Sequence, residues 1–92
     1  MEREQIIRSI RRTLKKHHVK EAYLFGSFAR GEKDYRDIDI AIRPPKKFSL
    51  MDMAGVLVEL EEGTSSRVDL ISSRAIHPRF RPRILRERVA LL

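Results

Sequence analysis

Residues 22–42 read AYLFGSFARGEKDYRDIDIAI, and two patterns meet within them. Ala22–Phe25 is short, aromatic-rich and halted by Gly26-Ser27, which predicts a buried strand running into a turn. Asp37–Ile42 alternates strictly, predicting a second strand with Ile38, Ile40 and Ile42 on one face. Residues i and i+2 of a strand point the same way, roughly 6.5–7 Å apart. Asp37 and Asp39 therefore share the other face, with the isoleucines filling a core behind them. Pro44-Pro45 ends the strand.

Helical periodicity brackets this stretch. Ile6, Ile10 and Leu14 recur every four residues beside Ile7, with Arg or Lys elsewhere, so an amphipathic helix of about four turns is predicted. Ser49 and Asp52 have the spacing of a capping box, ahead of a stripe of Leu50, Met53, Ala54, Leu57 and Leu60. Met51 and Met53 read as core filler, and Gly63 as the stop of that helix. Val68–Ile71 predicts a third strand. Ile84, Leu85 and Val89 predict a last helix with Pro82 near its start. The order is helix, strand, turn or short helix, strand, helix, strand, helix: an α/β or α+β fold on a small sheet. No repeat, low-complexity stretch or linker interrupts it, so residues 1–92 are expected to form one domain.

Size and charge narrow the function classes. A chain of 92 residues buries roughly 60–65% of its unfolded surface, enough for one sheet with a few helices but not for a separate substrate-binding module. Lys and Arg number 20 against 13 Asp and Glu, a net +7. The excess is uneven. Residues 1–20 hold seven basic and two acidic groups, residues 74–92 hold six Arg and one Glu, and residues 21–73 net −3. A basic shell thus surrounds an acidic centre that includes Asp34, Asp37, Asp39 and Asp69. The absence of Cys excludes disulfides, thiolate zinc sites and cysteine nucleophiles. His17 and His18 close the first helix and His77 precedes Pro78, none with a second ligand at metal spacing, so zinc is not expected. No apolar run approaches a membrane span and no signal-peptide pattern opens the chain, so a cytoplasmic location is expected. One Gln, no Asn and abundant Arg and Glu fit a thermophile or a GC-rich genome.

The carboxylates carry the chemistry. A strand that stops at Gly-Ser and enters a short helix leaves backbone N–H groups free for a phosphate, and Gly26 has no Cβ to hold one off. The same residues also read as an ordinary strand–turn–helix with Ser27 as the N-cap. Two carboxylates on one strand face repel unless a cation lies between them. Oxygen-only donors favour Mg²⁺ or Mn²⁺, completed by substrate phosphates. Asp69, inside the apolar strand Val68–Ile71, is poorly tolerated without a partner. Beside Asp37 and Asp39 it completes a set able to hold two ions, as metal ligand, general base for an acceptor hydroxyl, or both.

Gly26-Ser27, nine intervening residues, Asp37-Ile38-Asp39 and a later Asp69 resemble the signature of the DNA polymerase beta-type nucleotidyltransferase superfamily. Within it, the short length and the run LFGSFARGEKDYRDIDIAI resemble the minimal nucleotidyltransferases of prokaryotes, often the antitoxin half of a pair with a HEPN-domain toxin. The likeness covers about residues 19–72, and Pro78 to Glu87 resembles family tails. The Ser-to-Asp spacing is one residue shorter than in many small members, which reads as a shortened loop. The resemblance implies a small mixed sheet flanked by helices. It also implies transfer of a nucleoside monophosphate, AMP from ATP in antitoxin relatives, to a hydroxyl of a toxin tyrosine. By carry-over Gly26, Ser27 and, in a lesser role, Arg30 contact the nucleotide phosphates. Asp37 and Asp39 ligate two Mg²⁺ ions, and Asp69 completes the site. So small a chain leaves the acceptor to another macromolecule, so a HEPN toxin partner and a homo- or hetero-oligomer are expected. The basic tail and the basic face of the first helix are candidate docking surfaces. Two other readings stand beside this one: an antitoxin that acts by binding alone, and a small basic nucleic-acid-binding module. The last predicts aromatics among the Arg runs, and only Phe80 lies there, so direct nucleic-acid contact is not expected.

Overall fold

The computed structural model describes residues 1–92. In chain order the elements are α1 (Arg3–Lys16), β1 (Ala22–Phe25), α2 (Gly26–Ala29), β2 (Asp37–Ile42), α3 (Leu50–Thr64), β3 (Arg67–Ser72), a 3-10 turn (Ser73–Ala75), α4 (Arg81–Glu87) and β4 (Val89–Ala90). The sheet order is β3-β2-β1-β4; β1 runs antiparallel to β2 and β4, and β2 runs parallel to β3. A parallel pair cannot be joined by a tight turn, and α3 supplies the crossover between β2 and β3. This is the mixed sheet flanked by helices that the family resemblance implies.

Alternation in β2 sets the core. Ile38, Ile40 and Ile42 are fully buried against Leu24 of β1 and Val68 of β3, in one cluster with Ile6, Ile10 and Leu14 of α1 and Val56 and Leu60 of α3. Each such side chain contributes roughly 1.5–3 kcal/mol by leaving water. Helices therefore cover one face of the sheet, while Asp37 and Asp39 stand on the other.

The ends of α1 are closed by local hydrogen bonds. Glu2 and Gln5 form a reciprocal capping box at its start. At its end Val19 N–H donates to Leu14 O and His18 N–H to Lys15 O, both at 3.0 Å, the pairing of a Schellman motif. His18 takes the left-handed position there, at φ +62°. Glycine is the usual occupant, because a Cβ costs about 1 kcal/mol or more in that conformation. His18→Gly is accordingly expected to raise the melting temperature by about 4–8 °C, for a gain of about 1 kcal/mol in a domain of this size. A lower melting temperature would show that the imidazole contributes more to the fold than its backbone costs.

Four expectations need correction. Helix α3 buries Val56, Leu60 and Thr64, whereas Leu50, Met51 and Ala54 lie exposed, so its inner face is turned from the predicted stripe and Met51 fills no core. Nearly every position between Leu50 and Leu60 is apolar, which leaves the face undetermined by pattern. Gly63 does not stop α3. The helix continues to Thr64 and closes on Ser65 in a left-handed conformation. Gly63 instead marks a close approach to α1: Ser9 Oγ donates to its carbonyl at 2.9 Å, and a Cβ there would lie 2.5 Å from that hydroxyl. Finally, Val89 belongs to a two-residue strand rather than to the last helix, and the following Leu91 is buried, its N–H donating to Ala22 O.

Candidate active site

β1 ends in the extended residue Phe25, and Gly26 turns the chain into α2 with φ +75°. Across the sheet Phe25 faces Asp39, and Asp39 faces Asp69 in the parallel β2–β3 pair. The three residues thus form one row, on the face opposite the isoleucine core. Asp37 lies two residues back along β2, opposite Arg67.

The Asp39 carboxylate is seated in the space that a side chain on Gly26 would occupy. A Cβ built there would fall 2.1 Å from Asp39 Oδ2 and 3.0 Å from its Cγ. Only glycine combines this backbone angle with this approach. Burial, and then the charges of Asp69 and Asp37, push the Asp39 carboxyl up to about 6 from an ordinary 3.8, with Arg30 pulling it the other way. Without a cation the protein therefore holds a carboxylate at a place that disfavours its charge. The three aspartates do not close into a cage: no three acidic or histidine side chains meet around a single ion-sized point. Asp37 is half-buried and Asp69 exposed, so the remaining coordination faces solvent.

The phosphate-side candidates are placed differently. Ser27 is the second residue of α2, and the N-cap is Phe25 with no side-chain cap bond, so the plain capping role does not hold. Arg30 follows α2, but its guanidinium is engaged: Nε donates to Glu32 Oε2 at 2.6 Å and Nη1 to Glu87 Oε2 at 3.1 Å. It is close enough to act on Asp39 through space, yet it is anchored to two glutamates. The structure thus brings Gly26, Asp39 and Asp69 together, with Asp37 alongside and Arg30 at the margin.

Sequence reading missed the residues that hold α2 in place. Arg3 donates to the carbonyls of Phe28 and Ala29 at the end of α2 and stacks 4.5 Å above the Phe28 ring. Tyr35 meets the other part of that ring edge-on at 4.8 Å. In sequence Arg3 is one of many cations on α1. Glu87, 57 residues from Arg30, has no local signal either.

A turn at the end of one strand, set against carboxylates on its antiparallel neighbour, is the arrangement that the resemblance to enzymes of nucleotidyl transfer implies. The chain belongs to the Polymerase beta, Nucleotidyltransferase family, whose profile matches residues 8–92. It is 43% identical over 89 residues, 96% of both chains, to a protein of Methanocaldococcus jannaschii named "putative protein adenylyltransferase". A solved structure described as a "putative minimal nucleotidyltransferase" superposes with a TM-score of 0.81 at 31% identity, covering 97% of this chain and 95% of that one. The fold also matches a chain in a complex of a tri-AMPylated Shewanella oneidensis HEPN toxin with MNT antitoxin, at a TM-score of 0.77 and 20% identity over 99% of this chain and 72% of that chain. No helix here is long and apolar enough to cross a membrane.

Proposed function

We propose that this chain transfers AMP from ATP to a hydroxyl of a HEPN-domain toxin, acting in the cytoplasm as the antitoxin of the pair and as a single domain over residues 1–92. The observation that carries this reading is the row Phe25–Asp39–Asp69, with Gly26 beneath the Asp39 carboxylate. It sets the turn suited to phosphates and the carboxylates suited to cations at one end of one sheet. The 43% identity to a protein named as an adenylyltransferase supports the reaction class, and the toxin–antitoxin complex of the same fold supports the partner.

Each residue then has a defined task. Gly26 lets the triphosphate lie against the backbone, and the Ser27 hydroxyl and nearby N–H groups donate to its oxygens. Asp37, Asp39 and Asp69 would hold Mg²⁺. All their donors are oxygen, and the burial and the repulsion that raise Asp39 are both offset by a cation at its carboxylate. When bound, the ion neutralises phosphate charge and favours the ionised acceptor oxygen. Asp69, the most exposed of the three, faces the acceptor and takes its proton. The acceptor oxygen bonds to the α-phosphorus as the bond to the bridging oxygen breaks, and pyrophosphate leaves with that electron pair. Arg30, once freed from Glu87, adds positive charge beside the phosphates.

Incubation with α-labelled ATP, Mg²⁺ and a HEPN toxin is expected to place label on the toxin, and Asp37→Ala with Asp39→Ala to abolish it. Toxin neutralisation that survives the double substitution, with no label transferred by the wild type, would assign the protein to binding alone.

A further inference from the structure

A cavity of about 600 Å³ lies at the opposite end of the sheet from the aspartates, where β1 begins and β2 and β3 end. Lys20, Arg43, Lys46 and Arg74 line it with His18, and Glu21 is its one acidic side chain. Two hollows extend it. One of about 310 Å³ shares Glu21 and Arg43 and adds Tyr23 and Arg88. The other, about 540 Å³, shares Lys20 and adds Arg11 and Lys15. The two meet at Leu92, so the three form one concave belt.

Seven Lys and Arg side chains thus surround a single glutamate. Three cations outside the belt are held by carboxylates: Lys16 by Glu59, Arg30 by Glu32 and Glu87, and Arg83 by Glu87. In the belt only Arg43 has such a partner, Glu21 at 3.5 Å. Gathering unpaired like charges in a concave surface costs stability unless an anion neutralises them. At its rim the left-handed His18 replaces the glycine that backbone sterics favour, and so directs an imidazole into the cavity wall. A single phosphate needs only one hollow, whereas cations spread along three match a chain of phosphates. Tyr23 adds an aromatic face, with the Arg88 guanidinium 5.5 Å over its ring. A basic groove with an aromatic platform is the combination that holds single strands.

We infer that this belt binds the phosphodiester backbone of a single-stranded nucleic acid, at a site separate from the one for nucleotidyl transfer and independent of that reading. The sequence expectation against direct nucleic-acid contact looks at the linear Arg tail. The belt is assembled from residues 11 to 23, 43 to 46, 74 and 88, which no window of sequence brings together.

Fluorescence anisotropy with a labelled 20-nucleotide oligouridylate, titrated between 50 and 200 mM salt, tests it. Lys46→Glu with Arg74→Glu is expected to weaken binding at least tenfold and to flatten the salt slope by roughly 0.7 for each phosphate no longer neutralised. Lys20→Gln with Lys46→Gln, at two exposed positions, should give a smaller loss in the same direction while leaving the melting temperature unchanged. Arg8→Glu with Arg12→Glu makes the same change in net charge outside the belt and should alter affinity less than twofold, as should Asp39→Asn. The inference is overturned if the Arg8 and Arg12 pair loses as much as the belt pair, or if the wild type does not bind at 50 mM salt. It is equally overturned if polyglutamate of matched charge, or free ATP, displaces the oligonucleotide as well as unlabelled oligonucleotide does.

Discussion

Gly26→Ala is expected to lower nucleotidyl transfer at least a hundredfold and to destabilise the fold by about 2–4 kcal/mol. Two independent effects act at this position. The left-handed φ of +75° costs a residue with a Cβ about 1–2 kcal/mol. The new Cβ would also fall 2.1 Å from Asp39 Oδ2, so the carboxylate or the turn must move. Moving Asp39 removes it from the row with Asp69, and moving the turn displaces Ser27. Single-turnover transfer and urea unfolding measure the two parts. Wild-type activity in the variant would show that the turn and the carboxylate are not coupled.

Asp39→Asn is expected to separate function from stability in opposite directions. Transfer should fall at least a thousandfold, while the metal-free protein becomes more stable at pH 7. The carboxyl rises from 3.8 to about 6, so the fold holds its proton more tightly than the unfolded chain does. Its contribution to stability is therefore fully present below about 3.8 and is lost as pH rises through about 6. That displacement corresponds to about 3 kcal/mol, which partial exposure to water screens to roughly 1–2 kcal/mol. In EDTA the wild type should lose this much between pH 4 and 7, and the variant should not. Added Mg²⁺ should stabilise the wild type at pH 7 by mass action and leave the variant unmoved. A variant less stable than the wild type at pH 7 would mean that the carboxylate makes a structural bond worth more than its repulsion.

Residues 22–42 are legible because strand alternation leaves little freedom. With Ile38, Ile40 and Ile42 inward, Asp37 and Asp39 have only one face to occupy. The lateral position of Asp69 is less local. It depends on β3 lying parallel to β2 in a register that pairs Asp39 with Asp69, which the apolar run Val68–Ile71 permits but does not dictate. Helix α3 shows where pattern fails. Apolar residues surround it, so its inner face is settled by packing against α1, including the Ser9–Gly63 contact, and not by period. Arg30 is legible as a cation beside a turn. That it is held by Glu32 and Glu87 depends on a contact across 57 residues that no motif encodes.

The segment that carries Glu87 has its own thermodynamics. Ile76 and Leu91 are buried at its two ends, whereas α4 between them buries no residue. Surface hydrogen bonds tie it down, chiefly Arg30 to Glu87 and Arg81 to Ser73 O. A helix held this way can detach as a unit at a fraction of the global unfolding free energy, since no fully buried side chain leaves the core when it lifts. Its detachment releases one of the two anchors on Arg30. The charge beside Asp39 is therefore linked to the attachment of a helix at the periphery, and whatever grips α4 from outside gains leverage on the proposed nucleotide site.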